Sequence, residues 1–354
     1  MRAPLVAIAL VLGFAAPAGT ESAGPRQDGI LAAAARDAAA RPDGLLVLAV
    51  LSPERAIVAD PRTGEMRERE LAGGTLCHGP LLVIADRVVY FDLRRRRLVA
   101  RAAPLDRLGR DRPVGSAEIA TPSATPGRLW LGNRRGSRID LREIDVHGSV
   151  HARTSTRLAR WGTLEAHVGG EFLTTRGAGL VLGRERIRDG WLLGAGAERF
   201  AWCARGCDHV RVWSDGDRSA LYPPAGIRPQ PGPRAAFSPD GRRLALPVEV
   251  AGKPRFAVVD VERNDWSIVP RARPDDYSAL AWSPSGAWLY LAAGNQRLLA
   301  SRGGTARPHA LPIRTGGSVM SIATAASRRT LGVHEGVGPA HGRWSPRGWD
   351  QRWS

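Results

Sequence analysis

The segments AAFSPDGRRLAL (235–246) and LAWSPSGAWLYL (280–291) align without a gap at a shift of 45 residues. Phe237 falls on Trp282, Ser238 on Ser283, Pro239 on Pro284, Gly241 on Gly286 and Leu244 on Leu289. Each segment reads as strand, tight turn, strand. Proline sets φ for the first corner, Asp or Ser bonds the backbone, and glycine supplies the positive φ. A third copy of the turn, Pro42-Asp43-Gly44, leads into the apolar run LLVLA.

Outward from these units the texture is the same. Short apolar or β-branched runs such as LLVLAVL (45–51), LLVIA (81–85), VVYFDL (88–93) and FAVVDV (256–261) alternate with turn residues. Past residue 42 no segment sustains a helical apolar period, which points to an all-β chain. A second motif, an apolar strand closing on Asp, recurs at Asp60, Asp92, Asp145, Asp215 and Asp260, with weaker equivalents near Arg184 and Ser301. The spacing is about 40 residues, the length of a four-stranded propeller blade. One blade cannot cover both of its apolar faces, so several must stand radially. The repeats predict a β-propeller of about seven four-stranded blades over residues 42–325. The first unit has no convincing strand before its turn, and SVMSIATA (318–325) is a strand without a blade of its own. That C-terminal strand is therefore expected to close the first blade and latch the ring.

The strand–SPDG–strand units at 235–313 resemble the propeller repeats of the periplasmic TolB family and, more loosely, those of WD-repeat proteins. The resemblance implies an extracytoplasmic propeller that binds other macromolecules, and it does not imply catalysis. The chain departs from TolB in showing no N-terminal α/β domain, because residues 19–41 are too few for one. They read as a lead-in segment, and 326–354 as a C-terminal tail.

The N-terminus carries an address. Arg2 precedes the apolar stretch Leu5 to Ala16, and Ala16-Pro17-Ala18 is an A-x-A-like cleavage site. Residues 1–18 are thus read as a signal peptide, with an uncleaved membrane anchor as the alternative. The run is shorter than the roughly 20 residues of a spanning helix. The expected location is outside the cytoplasm, secreted or in the cell envelope. Export weighs against nucleic acid as a partner, despite 51 Lys+Arg against 34 Asp+Glu and a net charge of +17. Lys253 is the single lysine, so the other 50 cations are arginines, a ratio that G+C-rich coding imposes on any protein.

Candidate chemistry is sparse. Cys203 and Cys207 (WCARGC) flank a short turn and are expected to form a disulfide in an oxidising compartment; free thiols or a metal site are the alternatives. Cys77 would then be the odd thiol. The eight histidines form no H-E-x-x-H or H-x-H pattern, and no G-x-S-x-G is present. The recurring Asp residues are read as turn residues rather than ligands, since one site does not need five copies. Trp130, Trp202, Trp213 and Trp282 lie in strand patterns and are expected between blades. Arg94, Arg95, Arg96 and Arg97 begin a basic stretch running to Arg112, a candidate polyanion-binding patch for anionic lipid or cell-wall polymer; a solvated hairpin tip is the plain alternative. No catalytic residue, metal ligand or cofactor is called for. The sequence points to a non-enzymatic scaffold that binds a protein, a glycan or an envelope polymer. The alternative is a propeller enzyme of the hydrolase or lactonase class with its site in the central channel.

Overall fold

The structure is a computed structural model. It describes residues 41–326 except 73–75, 77–80, 95–96, 160–161, 177–178, 188–189, 205, 233, 275–278 and 294–295. The stretch expected to be a signal peptide, the expected tail and Cys77 lie outside the described residues. Within them the chain is all-β, and no helix is long and apolar enough to cross a membrane.

Seven antiparallel sheets succeed one another as the blades of a seven-bladed β-propeller. Blade 1 takes its innermost strand from Ser318–Ala325, followed outward by Leu45–Leu51, Arg55–Ala59 and Met66–Glu70. The expected closure is therefore present. Leu46 pairs with Thr324 and Leu48 with Ile322, and Thr324 Oγ1 donates to the Trp282 carbonyl of blade 7 at 2.7 Å. Blades 2 to 5 run from Leu82 to Ser116, Ile119 to Arg157, Leu164 to Ile187 and Trp191 to Leu221. Blade 7 runs from Leu280 to Arg314. Blade 6 runs from Ile227 to Ile268, and its inner edge is split: Ile227–Pro229 and Ala236–Phe237 both pair with Arg243–Val250. Pro231 and Gly232, at a φ of +122°, interrupt that edge.

The repeated turns form as their residues dictate. In blade 6 the Ser238 N–H donates to the Arg243 carbonyl at 2.8 Å, and the Gly241 N–H to the Ser238 carbonyl at 2.7 Å. In blade 7 Ser283 bonds Trp288 and Gly286 in the same pattern, both at 2.8 Å. A copy that the sequence alignment missed lies in blade 3, where the Ser123 N–H donates to the Arg128 carbonyl at 3.1 Å. Its glycine, Gly127, sits one place later, so the SPDG spelling is lost. The Pro42-Asp43-Gly44 turn closes against blade 7. Asp43 Oδ1 accepts from Ser285 Oγ at 2.8 Å, and Tyr290 Oη donates to the Asp43 carbonyl at 2.6 Å. Gly44 is required twice over, by its φ of +78° and by Pro284, 2.6 Å from where a Cβ would stand.

The aspartate motif marks the turn between the third and fourth strands. Asp60 Oδ1 accepts from the Arg62 N–H at 2.8 Å, Asp145 Oδ1 from His147 at 2.8 Å, and Asp260 Oδ1 from Arg263 at 2.9 Å. Asp92 departs from the pattern: it lies inside Arg87–Arg94, the second strand of blade 2, 3.9 Å from Arg101. The corresponding turn of that blade comes after Pro104.

The core is divided among the gaps between blades. Seven apolar clusters each join two neighbouring blades, one cluster for every gap in the ring. Trp202 and Trp213 fill the gap between blades 4 and 5, Trp282 that between 6 and 7, and Trp130 that between 3 and 4. The tryptophans thus lie between blades, as their strand patterns suggest.

Candidate binding ends of the propeller

Antiparallel pairing assigns every loop to one of two ends. Turns joining strands one to two and three to four lie at the turn end. Hairpins joining strands two to three, and links between blades, lie at the opposite, link end.

The basic stretch 94–112 is divided by this geometry. Arg94 pairs with Arg97 at the link end of blade 2, with Arg95 and Arg96 outside the described residues. The third strand, Arg97–Pro104, then carries the chain to the turn end, so Arg107, Arg110 and Arg112 do not extend that patch. Asp111 occupies the centre of a buried knot instead. Tyr90 Oη donates to it at 2.7 Å, Arg69 Nη1 at 2.5 Å, and Arg101 Nε is bonded to it as well. Burial alone would raise the Asp111 carboxyl, but the bonds from Arg101, Tyr90 and Arg69 hold it at about 2. Burial and the bond to Asp111 push the Tyr90 phenol up.

A second polar knot fills the gap between blades 3 and 4, where the apolar cluster is smallest. Glu143 and Glu165 are 6% and 7% exposed. Glu143 accepts from Ser123 Oγ and from Arg128 Nη1, the latter at 3.2 Å. Burial opposes its ionisation, yet these bonds keep its carboxyl below the usual range. His167 Nδ1 accepts from the Ala124 N–H at 3.2 Å, and its ring lies 4.8 Å from Phe172 and 5.6 Å from Trp130. Burial holds the imidazole below its ordinary value, against a bond to the Gly170 backbone and the charges of Glu143 and Glu171. Sequence reasoning missed this cluster because its members come from two blades. A serine hydroxyl and a guanidinium occupy Glu143, and a backbone amide occupies His167. The arrangement joins blades and presents no free nucleophile.

The innermost strands carry only Glu165 and His167 as acids or histidines among the described residues, both in blade 4. No three His, Cys, Asp or Glu side chains among those residues come together as metal ligands. Asp145, His147 and His151 share the turn between the outer strands of blade 3. Burial would raise Asp145, but bonds from Ser149, His151 and the His147 N–H hold its carboxyl at about 2.

Cys203 and Cys207 are brought together across the link-end hairpin of blade 5, with Cα atoms 4.9 Å apart and sulfurs in bonding contact. Beside them His209 stacks on Tyr222, ring centroids 5.3 Å apart. Tyr222 is 62% exposed, and Trp191, the first residue of the innermost strand of that blade, is 44% exposed.

The class defined by this architecture is the seven-bladed β-propeller. No known family matches the sequence, and no curated protein does. Solved structures similar in fold include a functionally unknown protein from Desulfotomaculum acetoxidans, with a TM-score of 0.53, 10% identity and coverage of 80% of this chain and 99% of that one. A putative 6-phosphogluconolactonase from Bacteroides fragilis has a TM-score of 0.50 at 11% identity, over 79% of this chain and 97% of that one. TolB from Acinetobacter baumannii is similar at a TM-score of 0.49 and 14% identity, over 79% of this chain. The match spans 66% of the TolB chain. At these identities the likeness is one of fold.

Proposed function

We propose that the protein is a non-enzymatic, extracytoplasmic binding scaffold whose loops hold a protein, a glycan or an envelope polymer. One observation carries this reading: the ionisable groups between the blades are engaged in bonds within the scaffold, Asp111 and His167 across a gap and Glu143 inside its own blade. Asp111, Glu143 and His167 each have their polar atoms bonded to neighbouring elements, and Asp60, Asp145 and Asp260 cap turns. The expected leader at 1–18 supports export, and an oxidised Cys203–Cys207 pair fits such a compartment. Arg94, Arg95, Arg96 and Arg97 belong to the binding surface as polyanion contacts.

The purified protein tests this directly. Elemental analysis should find no stoichiometric metal, and lactone and ester substrates should show no saturable turnover; either finding would overturn the scaffold reading. A partner cross-linked in the native envelope fraction should rebind as a purified component. Non-reducing mass spectrometry should show the Cys203–Cys207 peptide two hydrogens lighter than its reduced form, and free thiols at both positions would remove the disulfide.

A further inference from the structure

The net charge is distributed unevenly between the two ends of the ring. At the link end ten strand-terminal residues are Arg or Lys and one, Glu70, is acidic. At the turn end six are Arg and six are Asp or Glu. Coding bias raises arginine everywhere and has no means of choosing an end.

The register at the link end sets like charges side by side. Arg135 pairs with Arg138 and Arg138 with Arg157 across blade 3, where Asp140, 3.0 Å from Arg135, offsets one of the three charges, and Arg297 pairs with Arg314 across blade 7. Directly opposed like charges destabilise a sheet unless something neutralises them. At the turn end the register sets Arg128 against Asp145 and Arg243 against Asp260. Arg157, Lys253, Arg271, Arg273, Arg297 and Arg314 are exposed at the link end, with no carboxylate in ion-pair reach among the described residues. Of the exposed large aromatics among those residues, Trp191 opens an innermost strand at this end, and the Tyr222 ring stacks on His209 of the link-end hairpin while its carbonyl meets Asn264 of blade 6.

Five of these cations lie on the adjacent blades 6 and 7 and the link between them, while Arg157 stands on blade 3, three blades away around the ring. A single compact ligand cannot reach them all, whereas a plane can. Tryptophan and tyrosine favour the headgroup zone of a bilayer, where one side of the ring is apolar and the other wet. We propose that the link end docks on the phosphate headgroups of an anionic phospholipid bilayer. This rests on the reading of the protein as a binding scaffold, and names its surface and the chemistry it meets.

The test is sedimentation of the full chain with phosphatidylcholine vesicles, with and without phosphatidylglycerol, at rising salt. Binding should require phosphatidylglycerol and weaken with salt. Each link-end cation removed should cost about fivefold in affinity, so Arg271→Ser, Arg297→Ser and Arg314→Ser together should cost about a hundredfold. The turn-end control, Arg184→Ser with Arg302→Ser and Arg307→Ser, removes exposed arginines that likewise have no carboxylate in ion-pair reach among the described residues, and should lose less than a tenth of that effect. Trp191→Ser with Tyr222→Ser should weaken vesicle binding and leave the melting temperature unchanged. Equal losses from both ends, or equal binding without phosphatidylglycerol, would overturn the proposal. So would binding to soluble dextran sulfate that outcompetes the vesicles and ignores the aromatic substitutions. These failures leave the scaffold reading intact, and substrate turnover would remove that reading without altering the vesicle result.

Discussion

At the residue scale the fold depends on a few polar atoms placed where blades meet. Asp111 is the clearest case, since its side chain is 7% exposed and bonds Arg69 of blade 1 and Arg101 of blade 2 at once. Asp111→Asn keeps the shape and removes the charge, leaving Arg69 half-buried without its carboxylate and Arg101 with only Asp92, 3.9 Å away. The expected cost is about 3 kcal/mol, read from urea unfolding. The pH dependence has a definite sign. The ordinary carboxyl value is 3.8 and the folded value about 2, so the stabilisation is complete above the first and lost as pH falls toward the second. The wild-type protein should therefore lose stability between these values by a step that is absent in Asp111→Asn. An identical acid profile for the two proteins would show that Asp111 does not hold the gap between blades 1 and 2.

At the element scale, the turn chemistry of Ser238 and Ser283 could be read from sequence because it is local: a hydroxyl, a proline and a positive-φ glycine act within five residues. The closing strand was also legible, through the mismatch between a blade lacking a strand and a strand lacking a blade. Asp92 was misread because an aspartate ending an apolar run looks the same in a second strand as at a turn. The Arg94–Arg112 stretch misled for a related reason. A strand of eight residues carries the chain about 25 Å, so neighbours in sequence end on opposite sides of the ring. The closing strand gives the prediction at this scale. Deleting residues 316–354 should lower the melting temperature sharply, because Leu46, Leu48 and Val50, all 0% exposed, lose their inner partner. An unchanged melting temperature would show that the ring does not depend on that strand.

At the scale of the whole molecule, every apolar cluster is shared by two blades, so no blade owns a core. A fragment holding only blades 6 and 7, residues 227–314, should remain unfolded by circular dichroism, since its outer faces have lost their neighbours. A cooperative thermal transition in that fragment would contradict the shared-core account. The blade period announced this arrangement, but the Glu143–His167 knot and the charge difference between the ends could not be foreseen. Both depend on strand direction and on which blades meet. The shared first blade also imposes an order on biosynthesis. The strand Ser318–Ala325 is the last of the ring to be translated, yet the sheet that begins at Leu45 cannot be finished without it. Until then the first sheet lacks its innermost strand and the ring stays open between blades 7 and 1, even with the other six sheets complete. A message cut short anywhere before that strand yields a chain that cannot close, and the folded ring thereby certifies that its own translation reached residue 325.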